Sequence, residues 1–286
     1  MHVIFSRKGF DSSSGGMPSP ILPDGTLLSL PIPADFGPTR YCDLKAPDGK
    51  TYSALMRELG WNVQRHRRAW RNGSAVCHAD PDLRVEACPR PQGWRPAFGQ
   101  IGIGQTQLAR HDIHAGDVFL FFGLFRHTER QGKKLAFVPG TRPIHLIYGW
   151  LTVDSIAELS DETLRARSLE RWPWLAHHPH ACDPSKWARR ITRNGPNRIY
   201  LGKANATGPL WFSPSRVLTR DGLSASRWRR FPWMNERANA GFSRCNAPNL
   251  LHDDYLDTHT GRWQELVVRS EDYPQVQPWL DEITGE

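Results

Sequence analysis

The fold is decided by one stretch, Val118-Phe119-Leu120-Phe121-Phe122-Gly123-Leu124-Phe125, which would be apolar on both faces of a β-strand. A continuous apolar run of this length, rich in aromatic residues, is typical of a strand that is buried between two layers. A turn at Ala115-Gly116-Asp117 precedes it, and a second run of strand-forming residues, Ile144–Val153, follows a polar loop at 126–140. We therefore predict that 118–125 and 144–153 are adjacent antiparallel strands at the centre of a sheet.

The composition is that of a loop-rich protein with a real core. Of the 286 residues, 39% are hydrophobic, and the 12 Trp and 12 Phe must fill much of the interior. The 23 Pro and 24 Gly favour short elements and long loops over a helical bundle. We predict the α+β class, with a mixed or mainly antiparallel central sheet and short helices. All of 1–286 is expected to form a single compact domain.

The opening of the chain combines two predicted strands, Val3–Phe5 and Thr26–Leu30, with a polar, glycine-rich loop between them. Gly9, Gly15 and Gly16 allow a positive φ and a close approach of the backbone to another group. Successive backbone N–H groups in such a loop can form an anion-binding concavity. The alternative is an ordinary surface loop with common turn chemistry.

Five polar residues of this loop are candidate site residues. Ser6, Arg7, Lys8 and Ser12 are predicted to bind substrate or phosphate, Arg7 through a planar fork and Lys8 as a point charge. Asp11 is predicted to be catalytic, accepting a proton or orienting a hydroxyl. The alternative is a structural ion pair between Asp11 and Arg7.

A late strand, Trp263–Val268, supplies the other predicted catalytic residues, Gln264 and Glu265. Strand alternation places Glu265 on the same face as Val267, and an inward Glu265 would need a cation or a hydrogen-bond donor. We predict that the first and last strands pair at the sheet centre, with Arg7 or Lys8 beside Glu265 and Asp11 nearby. The alternative is a structural ion pair that locks the two termini together.

Two further residues, Gln105 and Arg126, bracket the central strand and are predicted to reach a substrate pocket at the mouth of the sheet. Arg126 has the alternative of a solvent-facing residue at a strand end. His145 begins an apolar strand and is expected to be a structural histidine with a hydrogen-bond partner.

The net charge of +8 permits an anionic partner. Arginines next to Trp rings are the combination that binds single-stranded nucleic acid through phosphate contacts and stacking. The alternatives are a solvated basic face and, for Trp228, packing in the core. The predicted nucleic-acid-binding residues are Arg65, Arg67, Arg68, Trp70, Arg189, Arg190, Arg227, Trp228 and Arg229.

Cysteine and histidine occur in two short clusters, Cys77-His78-Ala79-Asp80 and His177-His178-Pro179-His180-Ala181-Cys182. Neither has the paired spacing of a zinc motif, so both are expected to be loops and no metal site is predicted. The five cysteines do not indicate a disulfide framework, and the sequence has neither a signal peptide nor a long apolar run. We therefore expect a cytoplasmic protein without membrane association, and the sequence identifies no cofactor.

The stretch FSRKGFDSSSGGMPSPILPDGTLLSLPIP, residues 5–33, resembles the opening of the nucleotide modification associated domain family, third type. The resemblance continues through Gly99–Phe125, His145–Trp150 and Arg262–Val268, which extends it over nearly the whole chain. These are bacterial and phage proteins associated with DNA-modification systems. The resemblance implies DNA or a nucleotide as partner, with other DNA-modification proteins alongside, and it implies no particular reaction.

Two functions remain open at this point. One is an enzyme that acts on nucleotides or DNA bases in a modification pathway, which the polar opening loop and the Gln264-Glu265 dyad favour. The other is a non-catalytic reader of modified nucleic acid, because a Gly-Asp turn, an apolar strand and a second glycine-containing strand resemble the small PUA-like barrels. A pocket with a carboxylate and a polar wall would favour the enzyme, and an aromatic cage would favour the reader.

Overall fold

The structure, a computed structural model, describes most of the chain. The described residues are 1–61, 75–182, 196–231, 233, 252–258 and 265–285.

The elements are short except for three long strands in the middle of the chain. The strands are β1 His2–Arg7, β2 Ser19–Ile21, β3 Ile32–Pro33, β4 Thr39–Arg40, β5 Val76–His78, β6 Ala97–Ile101, β7 Val118–Gln131, β8 Lys134–Phe137, β9 Ile144–Glu158, β10 Asn197–Pro209, β11 Arg227–Arg229, β12 Tyr255–Asp257 and β13 Glu265–Arg269. The α-helices are α1 Tyr52–Glu58, α2 Gly102–Arg110, α3 Glu162–Arg171 and α4 Val276–Thr284. The predicted α+β class with a mixed central sheet is confirmed.

The central hairpin is as predicted. Strands β7 and β9 pair antiparallel from Val118 with Thr152 to Phe125 with Ile144, in the middle of a sheet with the order β13-β1-β7-β9-β10-β6. Phe119 and Phe121 belong to one apolar cluster, whereas Leu120 and Phe122 belong to another on the opposite face. The run is apolar on both faces because both faces of this strand are covered.

Two local predictions were wrong. The expected polar loop at 126–140 is largely a continuation of β7, which turns at Gly132 and returns as β8 with Arg130 opposite Leu135. Polarity did not exclude a strand here, because an exposed hairpin needs few apolar side chains. The expected strand at 26–30 forms only isolated bridges, and β2 pairs with β7 in its place.

Strands β1 and β13, from the two ends of the chain, pair as predicted. β1 runs antiparallel to β13, with Ser6 opposite Glu265, and parallel to β7 on its other side. The predicted position at the sheet centre was wrong for β13, which is an end strand. Glu265 is nevertheless buried, because the sheet curls.

Curling of the sheet encloses the inner apolar cluster. Its members come from all six strands of the main order, among them Val267, Ile4, Phe119, Leu151, Tyr200 and Phe98. The two end strands approach closely enough for Gln100 of β6 to donate a hydrogen bond to Glu265 of β13. On the outer face, α4 and a group of Trp and Phe rings cover the sheet. The curl thus brings the two sheet edges together where the candidate site lies.

Candidate functional site

Glu265 is the centre of a buried polar cluster between the two sheet edges. Its Oε1 accepts hydrogen bonds from Ser6 Oγ at 3.2 Å, from Lys8 Nζ at 3.1 Å and from Gln100 Nε2. Its Oε2 has no hydrogen-bond partner among the described residues, and a Cβ added at Gly104 would lie 3.1 Å from it. The predicted neighbourhood of Glu265 and Lys8 is confirmed.

Lys8 connects this cluster with solvent. Its side chain is 11% exposed, against 1% for Glu265, and its ammonium lies 4.8 Å from the centre of the Phe98 ring. The backbone N–H of Lys8 donates to Phe122 O at 2.9 Å, which extends the β1–β7 pairing by one residue. Strand pairing therefore holds the backbone of Lys8 in place, and the carboxylate of Glu265 holds its ammonium group.

The opening loop contains its own anion. Asp11 Oδ1 accepts from the backbone N–H groups of Ser13 at 2.7 Å and Ser14 at 2.6 Å, and from Ser13 Oγ at 2.8 Å. The predicted concavity of N–H groups thus binds the carboxylate of Asp11 itself. Gly9 and Gly15 have φ of +82° and +91°, and at both positions an added Cβ would clash, with Ser29 or with the Phe10 ring.

A second polar cluster joins two segments that lie about a hundred residues apart in the sequence. His78 Nε2 lies 3.2 Å from His180 Nε2, and Asp80 Oδ2 lies 3.7 Å from the first nitrogen and 3.5 Å from the second. His78 ends β5, whereas His180 follows the 3₁₀ turn Pro173–His177. Asn197 links this loop to β10, because its amide Oδ1 contacts His180 Nδ1 at 2.8 Å and its Nδ2 donates to His180 O at 3.1 Å.

Charges in this second cluster are set by burial and by mutual contact. Burial lowers the pKa of His180 to about 3, although the Asp80 carboxylate opposes that shift, so His180 is neutral at pH 7. Burial by itself would raise the pKa of Asp80, but the neighbouring imidazoles of His178 and His78, at 3.5 and 3.7 Å from its oxygens, outweigh it and hold the pKa well below its usual range. The cluster therefore combines an ionised carboxylate with a neutral imidazole.

Both clusters meet at one cleft with a volume of about 740 Å³. Its walls include Lys8 and Gln100 from the first cluster and His78, Asp80 and His180 from the second. The opening loop adds Arg7, Asp11, Ser13 and Ser14. The volume falls within the range of about 300–1,000 Å³ that is usual for small-molecule sites.

The other predicted substrate-binding residues lie in different surroundings. Ser12 is exposed, and the neighbouring Ser13 and Ser14 line the cleft instead. Gln105 is fully buried on α2 and accepts a hydrogen bond from Tyr200 OH at 3.1 Å. Arg126 donates to Thr141 Oγ1 at 3.1 Å and to Val138 O at 2.9 Å, so it organises the loop after β8.

The predicted nucleic-acid-binding residues are described in part. Arg227, Trp228 and Arg229 form β11, where Arg227 is exposed and Arg229 donates to Ser215 O. The indole of Trp228 is fully buried, in agreement with the core-packing alternative and not with base stacking. Outside the described residues lie Arg65, Arg67, Arg68, Trp70, Arg189, Arg190 and, from the late strand, Gln264.

His145 is a structural residue, as expected. Trp228 Nε1 donates to His145 Nδ1 at 2.9 Å in the outer cluster. Burial, together with the positive charge of Arg7, lowers the pKa of His145 to about 3. The ring is therefore neutral at pH 7 and acts as an acceptor in the core.

The model of the family described as nucleotide modification associated domain 3 matches residues 2–269. The chain belongs to this family. No curated protein and no solved structure matches it. None of the helices in the described parts of the chain has the length and hydropathy needed to span a membrane.

The two Cys/His segments contribute to one cluster, a relation that the sequence did not indicate. The sequence predicted two separate loops, because 77–80 lacks the paired Cys-x-x-Cys spacing and no second set of ligands was evident for 177–182. In the structure, His78 and Asp80 from the first segment and His180 from the second lie together. The spacing His78-x-Asp80 was visible in the sequence, but nothing there indicated which other histidine would lie beside these two residues.

Proposed function

We propose that this member of the nucleotide modification associated domain 3 family is an enzyme that acts on a nucleotide or a DNA base in a bacterial or phage modification pathway. One observation carries the proposal: the two buried polar clusters open onto the same cleft. One cavity thus has a carboxylate, a neutral imidazole and an ammonium group on its walls. Groups of these three kinds are the usual components of acid–base and electrostatic catalysis.

The two sides of the cleft would have different tasks. Arg7 and Lys8, on the loop side, suit the phosphate of a nucleotide, because both carry a positive charge to the cleft wall. Glu265 would position Lys8 and not touch the substrate, since its carboxylate is 1% exposed and holds the ammonium at 3.1 Å. His78, Asp80 and His180, on the other side, would face the base or sugar.

The composition of the cleft favours the enzyme over the PUA-like reader. Readers of modified bases hold the base in an aromatic cage, which needs several rings around one pocket. Among the described residues that line this cleft, Phe36 is the single Phe, Tyr or Trp, whereas Asp11, Asp35 and Asp80 supply carboxylates.

The test is mass spectrometry of nucleosides from cells that carry the wild-type chain, together with its natural neighbouring modification proteins, or a variant. We expect a modified nucleoside with the wild type and its loss with Lys8→Met or Asp80→Asn. The matched control is Arg95→Met, which breaks an exposed ion pair with Asp154 and should leave the modification intact. Identical nucleosides with the wild type and with no protein would contradict an enzyme.

A second measurement separates polymer from free nucleotide as the substrate. We propose DNA as a partner, contacted through the basic residues predicted from the sequence. The affinity of labelled single- and double-stranded DNA should then fall with salt, with a log–log slope of roughly −0.7 to −0.9 per phosphate contact. Absence of binding at low salt would leave a free nucleotide as the substrate.

Two broader predictions belong with this function. We propose that residues 1–286 form one domain, which is supported by the pairing of β1 with β13 from opposite ends of the chain. We also propose a cytoplasmic location, which is supported by the free thiols of Cys42, Cys77 and Cys88 among the described residues.

A further inference from the structure

Three side chains on the cleft wall bring one possible metal-binding atom each close together. The atoms are His78 Nε2, Asp80 Oδ2 and His180 Nε2, and the distances between them are 3.2, 3.5 and 3.7 Å. A circle through three points with these separations has a radius of about 2.0 Å, which agrees with the roughly 2.0–2.2 Å bonds from zinc to His nitrogen and carboxylate oxygen. The separations of the three atoms are therefore those expected of three ligands around one such ion.

The tautomer of His180 suits this geometry. Asn197 Nδ2 donates to His180 O at 3.1 Å, which orients the amide so that its Oδ1 faces His180 Nδ1 at 2.8 Å. An amide oxygen only accepts hydrogen bonds, so Nδ1 carries the proton and Nε2 presents a lone pair. Metal-binding histidines are commonly held in this way by a partner on the other ring nitrogen.

Asp80 is held with one oxygen beside the two histidines. Its Oδ1 accepts from the backbone N–H of Gly99 at 2.8 Å and lies 3.5 Å from His178 Nε2. Its Oδ2 is left on the side of His78 and His180. Gly99 also allows close packing, because an added Cβ would lie 2.5 Å from the His180 ring.

We propose that His78, Asp80 and His180 bind one divalent first-row transition ion, with its remaining coordination positions open to the cleft. Two imidazoles and one carboxylate suit ions such as Zn²⁺, Fe²⁺ or Co²⁺, whereas Ca²⁺ and Mg²⁺ prefer oxygen ligands. Three protein ligands leave room for water or a substrate oxygen, as in catalytic and unlike structural zinc sites. Binding of the ion does not depend on the proposed reaction, so the two ideas can fail separately.

A second group of similar composition, His2, His114 and Asp117, provides an internal control. Both oxygens of Asp117 already accept backbone N–H groups, from His2 at 2.6 Å and from His114 at 2.9 Å. Each oxygen of this carboxylate is therefore already engaged in a structural hydrogen bond, and we expect no tight binding of a metal ion at this group.

The test is a titration of tag-free, chelator-treated protein with Co²⁺, followed by visible absorption and calorimetry. We expect one equivalent to bind in the wild type, and a loss of affinity greater than about 100-fold in His78→Ala and in Asp80→Asn. Asp80→Asn keeps an oxygen that can accept the Gly99 N–H. Denaturant unfolding of both variants, measured in the presence of a chelator, verifies that they fold without metal. His114→Ala should bind like the wild type.

Three results would overturn the proposal: no stoichiometric binding by the wild type, undiminished binding by His78→Ala, or a loss of binding in His114→Ala. A further variant tests the tautomer. Asn197→Leu should weaken Co²⁺ binding by roughly 10–100-fold, and Asn197→Asp, which keeps an acceptor for His180 Nδ1, should restore it. Equal affinity in Asn197→Leu and the wild type would contradict the inferred role of His180.

Discussion

The ion pair between Lys8 and Glu265 gives the sharpest stability prediction. Lys8→Met would leave the Glu265 carboxylate, which is 1% exposed, with the donors of Ser6 and Gln100 as its only side-chain partners in the described part of the chain. Removing one partner of a buried pair typically costs about 3–5 kcal/mol, because the remaining charge is buried without compensation. Glu265→Gln should cost less, since the 11% exposed ammonium of Lys8 can turn towards water in the cleft.

The double variant separates the interaction from the individual changes. The double variant Lys8→Met, Glu265→Gln leaves no uncompensated charge. Its loss in the free energy of unfolding should therefore be smaller than the summed losses of the two single variants by about 1–3 kcal/mol. The measurement is urea unfolding of all four proteins at pH 7, with the free energy of unfolding extrapolated to water.

The matched control is the exposed pair of Arg95 and Asp154, whose side chains are 30% and 42% exposed and whose atoms lie 2.8 Å apart. The cycle of Arg95→Met and Asp154→Asn should give a coupling of about 0.2–1 kcal/mol, as is usual for surface pairs. A coupling for Lys8 and Glu265 no larger than this control would refute the role assigned to Glu265 in holding Lys8.

Two other predictions concern the opening loop and the outer core. Gly15→Ala should destabilise by about 2–5 kcal/mol, because an added Cβ would lie 2.3 Å from the Phe10 ring at a φ of +91°. Gly140→Ala, at a φ of +73° with open space around it, should cost only about 1–2 kcal/mol; similar losses in denaturant unfolding would contradict the steric argument. His145 has a pKa lowered to about 3, so its contribution to the free energy of unfolding is complete above pH 6.5 and is lost as the pH falls towards 3, by up to about 1.4 kcal/mol per unit. His145→Gln, which keeps an acceptor for Trp228, should remove this part of the pH dependence, and an unchanged profile of stability against pH would show that His145 does not titrate in this range.

Local sequence patterns were sufficient to predict the centre of the sheet and the contact of Glu265 with a cation of the opening loop. The run Val118–Phe125 could be stable only with both faces covered, and strand alternation put Glu265 on the face of Val267. These predictions succeeded because they depend on local periodicity. A buried carboxylate requires a partner, which pointed to the cations of the opening loop before any contact was known.

The group of His78, Asp80 and His180, in contrast, depends on packing between distant segments. His78 and His180 lie in irregular segments with no periodicity, and packing of the 3₁₀ turn and its link through Asn197 bring them together. Tertiary packing also decided the role of Trp228. An arginine-flanked Trp has the same sequence pattern on a surface as in a core, and only contacts with Phe5, Phe122 and His145 show that this ring is buried. Such contacts between distant segments leave no mark in a single sequence, because they depend on how the whole sheet curls.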